Sequence, residues 1–324
     1  MSSIRHTATC PARAAIAGNP SDGHGGAVVS TVVSAVAATV QIQRSDRFEI
    51  AGTDLVYRSI EELSDLVDTE GCGDIQPLVP ATLAVLHRLL GAQLDSHRVE
   101  VRSTIPRSVG LAGSSAIVIA TIRTMAAAHA DAPWARSVVA EPALLASVAL
   151  AAEREILGIT AGLQDRVVQT LGGTVAMEFG PESMRTVGGL SVGTYRRVAP
   201  LPAGLFVAFR DTAATHSGDV HGGVDPDDSR VRDAMRRAAT AARAAADAIE
   251  VGDAVTLGAA MDETFDQRAA VMDLHPAHVE MIDVARSHGA SANYAGSGGA
   301  VIVLASDSRA RAALDSLGCG LLEV

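Results

Sequence analysis

The chain has 324 residues, 48% hydrophobic and 19% charged, which is enough for one large or two medium domains with real cores and too apolar for a disordered polymer. A net charge of −11 and a pI near 5.3 argue against a general nucleic-acid or anionic-membrane partner, while leaving room for a local arginine pocket that holds an anion. Cys10, Cys72 and Cys319 are odd in number, widely spaced and form no CxxC pair, so a reduced, cytoplasmic setting with no structural zinc or disulfide framework is the simplest expectation.

From the N-terminus, MSSIRHTATCPARAAIAGN lacks a continuous apolar core of export-signal length. Residues 4–10 read as a short strand ending at Pro11. The block that follows, PARAAIAGNPSDGHGG, is apolar at one end and polar at the other, which marks a functional loop rather than a linker. The Val/Thr-rich run at 27–42 is too short and too interrupted by Ser and Thr to span a bilayer and reads as buried strand, with a second strand at 47–51. A polar excursion at 52–76 carries the helix-prone SIEELSDLV. A helix at about 77–91 leads into the strand at 98–105.

Next comes IPRSVGLAGSSAIVIATIRTMAAAHA, a Gly/Ser-rich turn running straight into an apolar helix. Pro106 ends the strand, Gly110 and Gly113 permit close approach of a ligand, and Ser114 or Ser115 stands where an N-cap belongs. Unpaired N–H groups and the helix dipole there favour an anion, most often phosphate, although a ligand-free turn has the same composition. The P-loop is excluded because the chain contains no lysine, and no strand is followed by a complete G-x-G-x-x-G. Any bound phosphate must therefore meet backbone amides, hydroxyls, arginine and a metal.

Helical pattern returns at about 141–157, breaks at Gly158 and resumes near 162–170 before the strand GTVAMEF. Gly and Pro punctuate 186–200, which places a domain boundary between residues 1–200 and 201–324. The second part reads as strand LFVAFR, a polar loop at 211–229, an Ala/Arg-rich helix at 229–249, helices near 252–272 and 276–288, strand SANYAG, an SGG turn, strand AVIVLA, a helix and a last strand. High helix propensity suffices to explain the alanines. Alternating strands and helices imply an α+β two-layer sandwich in each half.

Three glycine-rich segments, PARAAIAGNPSDGHGG, PRSVGLAGSSAIV and YAGSGGAVIVL, in this order and spacing, resemble the three motifs of the GHMP kinase superfamily over nearly the whole chain. Within it, NPSDG, GLAGSSAIV with its extra residue before the two serines, AGLQDRVVQTLGG and GSGGAV are most similar to the glucuronokinase subfamily. The resemblance implies an N-terminal domain like ribosomal protein S5 domain 2, a ferredoxin-like C-terminal domain and an active site between them. It also implies transfer of the γ-phosphoryl of ATP, with Mg2+, to a hydroxyl of a small-molecule sugar or sugar acid. D-glucuronate, phosphorylated at its anomeric oxygen, is the expected acceptor. Another sugar or a small alcohol, a decarboxylating lyase of the same fold, and a non-catalytic sugar sensor are the alternatives.

By the same resemblance Asp165 matches the catalytic aspartate and Arg13 an arginine that lies beside it. Pro106, Gly110, Leu111, Ala112, Gly113, Ser114, Ser115 and Ala116 match the nucleotide-binding loop. Ser115 and Glu153 match magnesium ligands, Glu155 being the competing carboxylate. Asn19, Ser21, Asp22 and Gly23 match positions that contact sugar hydroxyls, and Gly296, Gly298 and Gly299 match the third motif. His24 departs from the subfamily, where an aromatic is usual. A uronate carboxylate needs a cation, for which Arg166, Arg210 and His216 are the candidates. The pairs His216/His221 and His275/His278 read as loop or helix-surface residues rather than metal ligands.

Overall fold

The computed structural model describes residues 5–73, 76–210, 225 and 227–324. In chain order the elements are strands β1 (Arg5–Ala17), β2 (Ala27–Arg44), β3 (Phe48–Ile50) and β4 (Val56–Tyr57), helices α1 (Ile60–Glu70) and α2 (Leu78–Leu90), and strand β5 (His97–Ser103). Helices α3 (Gly113–Ala128), α4 (Pro133–Ala140), α5 (Pro142–Ala151) and α6 (Gln164–Leu171) follow, a π-helical turn Ala152–Ile156 extending α5. Strands β6 (Thr174–Glu178), β7 (Arg185–Val187), β8 (Leu190–Val192), β9 (Thr194–Arg197) and β10 (Leu205–Phe209) come next. The chain ends with α7 (Ser229–Val251), α8 (Ala254–Ala269), α9 (Pro276–Ser287), β11 (Ser291–Tyr294), β12 (Ala300–Leu304), α10 (Arg309–Ser316) and β13 (Gly320–Glu323).

The first sheet is built on one long antiparallel pair, β1 and β2, with β5 and β6 both hydrogen-bonded to β2. The expected short strand at 4–10 is thus corrected: the strand runs through Pro11 to Ala17. A proline lacks the N–H a central ladder needs, and here it lies on an edge strand immediately before a register shift at Ala12. The outer edge of β1 is where the glycine loops attach. The Arg13 N–H donates to Leu111 O (3.3 Å) and the Ala15 N–H to Ala295 O (2.8 Å).

The second sheet has the order β11-β12-β10-β13, antiparallel throughout, with α7 to α9 between β10 and β11 and α10 between β12 and β13. That is the βαββαβ arrangement of a ferredoxin-like domain, carrying extra helices. α7 reaches back across β1 and β2. Its alanines serve this contact and not only propensity. A Cβ added at Gly18 would meet the Ala242 methyl at 2.7 Å, and one at Gly26 the Ala239 methyl at 2.9 Å, so larger residues on this face would push the helix off the turn. The helix expected at 141–157 resolves into α5 and its π turn, with α4 as a separate helix opened by Pro133. All three cysteines are free and buried. Among the described residues no single helix is long and apolar enough to cross a membrane.

Candidate functional site

Arg13 gathers the three glycine segments. It is 4% exposed on β1; its Nε donates to Asp165 Oδ1 (2.6 Å), and its Nη1 to the carbonyls of Gly110 (2.8 Å) and Ala295 (2.5 Å). One guanidinium thus joins the first motif to the second loop, the third loop and the aspartate at the start of α6. The loops also touch each other. A Cβ at Gly110, whose φ is +74°, would lie 2.8 Å from Gly298 O and 2.9 Å from Ser297 N. A Cβ at Gly296 would strike Gly110 O and stand 2.8 Å from Arg13 Nη1. Both positions need glycine for contact between backbones.

The N-cap of α3 is Ala112, not Ser114 or Ser115 as expected. Ala112 holds a left-handed conformation (φ 59°, ψ 43°), and the helix begins at Gly113. A non-glycine residue in that region is strained by about 1–2 kcal/mol, and such strain collects at functional turns. The first-turn N–H groups of Gly113, Ser114 and Ser115 consequently lack intrahelical acceptors, as an anion cradle requires. Pro106, Leu111 and Ala116 complete the loop, with Leu111 and Ala116 packed in the core. Ser115 Oγ donates to Gln169 Oε1 (2.7 Å), while Gln169 Nε2 donates to Pro11 O (2.9 Å) and Ala112 O (3.0 Å). Gln169 ties the cradle to β1, a role that nothing in the pattern QDRVVQTL singled out.

Glu153 is fully buried in the π turn, while Glu155 is exposed. A π turn shifts the helical phase by about a residue, and such turns are frequent at functional sites. Glu153 Oε2 accepts from Arg166 Nε (2.7 Å) and from Arg166 Nη2; Oε1 has no hydrogen-bond partner. Arg166 also donates to Gly162 O (2.9 Å) and lies 3.6 Å from Asp165 Oδ2. The Arg166 guanidinium, expected as a candidate for the substrate carboxylate, is thus engaged within the protein by Glu153 and Gly162. Arg210 is likewise paired, with Glu280 at 2.8 Å, and His216 and His221 lie outside the described residues. Among the described residues no three His, Cys, Asp or Glu side chains gather as a metal cage.

The first-motif turn divides in an unexpected way. Asn19 Nδ2 donates to Tyr294 O (3.0 Å) and its Oδ1 accepts from Asn293 Nδ2 (2.8 Å); Ser21 Oγ donates to Ala27 O (2.8 Å). Both side chains are buried and serve the protein, Asn19 by fastening the turn to β11. Asp22, by contrast, lies close enough to Asp165 to feel its charge. It is half-buried against Gly162, 3.5 Å from Gln164 Nε2, and its carboxyl is pushed up to about 6, by burial first and the Asp165 charge second, with Arg13 offsetting part. Gly23 and His24 are exposed and border a groove of about 590 Å³ walled by Arg232, Arg236 and Arg243 of α7. His278 is buried beside Gly298, not on the helix surface as expected, and burial drives its imidazole down to about 4.

Two family models match the chain, GHMP kinases N terminal domain over residues 78–173 and GHMP kinases C terminal over residues 245–321. Glucuronokinase 1 of Arabidopsis thaliana is 30% identical over 90% of this chain and 83% of its own length. The chain belongs to the GHMP kinase family. Probable glucuronokinase 2 of the same plant is 32% identical, over 90% of this kinase and 82% of its own length. The crystal structure of Methanococcus jannaschii mevalonate kinase superposes with a TM-score of 0.76 at 15% identity, covering 99% of this chain and 98% of that one, a likeness of fold. Arg13, Asp165 and the glycine loops thus belong to a small-molecule kinase of this family.

Proposed function

We propose that this kinase transfers the γ-phosphoryl group of ATP to the anomeric hydroxyl of a sugar acid, D-glucuronate, yielding the 1-phosphate. The observation that carries the reading is the Arg13–Asp165 pair at the junction of the three loops. Asp165 orients the acceptor hydroxyl and accepts its proton as the oxygen bonds to phosphorus and the β–γ bridging bond breaks. Arg13 holds that carboxylate in place and offsets charge that develops beside it. The N–H groups at the start of α3 receive the phosphates, and Asp22 contacts a hydroxyl of the acceptor.

Donor chemistry at Glu153 and Ser115 suits magnesium. Glu153 Oε1 is a buried carboxylate oxygen with no hydrogen-bond partner, and Ser115 Oγ gives its hydrogen to Gln169, leaving a lone pair. Together with phosphate oxygens these are the hard ligands the ion takes, and the ion would neutralise phosphate charge. We assign residues 1–200 to the nucleotide-binding domain and 201–324 to the domain that closes the site.

The direct test is identification of the product. After incubation with ATP, magnesium and D-glucuronate, phosphorus NMR should show a stable sugar phosphate ester coupled to the anomeric proton. Release of inorganic phosphate with carbon dioxide instead would assign the site to decarboxylating chemistry.

A further inference from the structure

Three arginines are buried among the described residues, and they differ in one respect. Arg13 is paired with Asp165 and Arg166 with Glu153, but Arg268, 1% exposed on α8, has no carboxylate within ion-pair distance. Its Nη1 donates to Gly296 O (2.7 Å), its Nη2 to Ser297 O (3.3 Å), and its guanidinium lies 5.0 Å from the Tyr294 ring centre. Its Nε is buried with no acceptor. Desolvating a guanidinium is costly, and two neutral carbonyls with one aromatic face offset only part of that cost. Burial lowers its pKa to about 10, so it remains a cation at neutral pH.

Its position is informative. Arg13 donates to the carbonyl of Ala295 and Arg268 to the next carbonyl, that of Gly296, so a guanidinium without an ion-pair partner sits one residue from the group that holds Asp165, with the more distant Asp22 carboxylate favouring its charge. Tyr294 Oη, on the residue whose ring lies against Arg268, is also buried without a partner. Unsatisfied buried groups in a folded protein call for a ligand or ordered water. Among other cations around the site, Arg210 is paired with Glu280, and Arg232, Arg236 and Arg243 of the outer groove with Asp227, Asp233 and Glu178, while Arg107 of the second loop is exposed to solvent rather than buried.

We propose that Arg268 is the specificity-determining cation of the acceptor site, the group against which the carboxylate of a sugar acid is held; this rests on the kinase reading above. A carboxylate gives the guanidinium an ionic acceptor in place of weak neutral ones, whereas a neutral sugar leaves it without an ion-pair partner. Both effects favour the acid.

The test compares D-glucuronate with D-glucose on the full chain, by calorimetric binding and by ADP release, for wild type, Arg268→Lys and Arg268→Gln. Wild type should favour the acid. Arg268→Gln should lower the acid-to-neutral ratio by about 10- to 100-fold, the scale of a lost charged hydrogen bond, through KM rather than kcat. Arg268→Lys keeps the charge without the fork and should lose less; it also carries the comparison if the glutamine variant does not fold. Equal losses on both sugars would mark Arg268 as a structural strut for the third loop, and a change in the KM for ATP in place of the sugar KM would mark a phosphate contact. Either result overturns the proposal, as does a wild type that binds the two sugars equally. Binding that favours glucuronate without turnover of any sugar would sink the kinase reading and leave the Arg268 assignment standing.

Discussion

Asp22 lies beside Asp165 with a carboxyl that burial and like charge push up to about 6. Because that value is above the unfolded one, the folded state holds the proton more tightly, and the resulting stability is fully present below pH 4 and is lost as pH rises through 6. The loss is at most roughly 3 kcal/mol, by the free energy per unit of pKa. Asp22→Asn should therefore melt higher than wild type at pH 8 and equally at pH 3.5, while binding the sugar less well; identical melting curves at both pH values would remove this account of Asp22. Asp165→Asn should lower kcat by about 100- to 10,000-fold, the range of general base catalysis, and leave nucleotide affinity within a few-fold. Arg13 and Asp165 were legible in the sequence because their motifs carry them. The protein partners of Asn19 and Ser21 were not legible, because a short polar side chain in a turn looks the same whether it faces a ligand or the chain itself. Arg268 and Gln169 left no signal, since each sits in an ordinary amphipathic helix and gains its meaning from a loop distant in sequence.

At the level of elements, the glycine loops work by contact between backbones. Gly110→Ala puts a methyl against Ser297 and Gly298, and Gly296→Ala puts one against Gly110 and Arg13. A displacement of the reacting groups by an ångström costs on the order of 100-fold in rate, so both variants should lose at least that much kcat/KM while remaining folded by circular dichroism. Full activity in either variant would show that the two loops do not meet as described. Helices α2, α3 and α7 and the strands of the second sheet followed from apolar pattern and helix propensity, though not the cap of α3. The continuation of β1 through Pro11 did not, because a proline ends a strand on average and survives on an edge beside a register shift. The π turn was equally hidden: one extra residue in a helical turn leaves composition unchanged and alters only which carboxylate, Glu153 or Glu155, turns inward.

Across the whole molecule the two sheets meet at the site and not beside it. The Ala15 N–H bonds Ala295 O, the Gly18 N–H bonds Thr264 Oγ1 (3.0 Å), and Asn19 exchanges bonds with Asn293 and Tyr294. Asn19→Ala removes two of these buried bonds and should cost about 1–3 kcal/mol, with the chain still unfolding in one transition. Two separate transitions in the variant would show that this seam, more than the hydrophobic contact between α7 and β2, joins the halves. The domain order was readable from the alternation of strands and helices, but the seam was not, since it depends on pairs some 275 residues apart.

The central claim is that these loops and the Arg13–Asp165 pair make a phosphotransferase for a sugar acid. ADP release with ATP and magnesium across glucuronate, galacturonate, glucose, galactose and arabinose tests it most directly. The account expects turnover strongest on glucuronate and abolished in Asp165→Asn. Turnover confined to neutral sugars, or undiminished in Asp165→Asn, would contradict it.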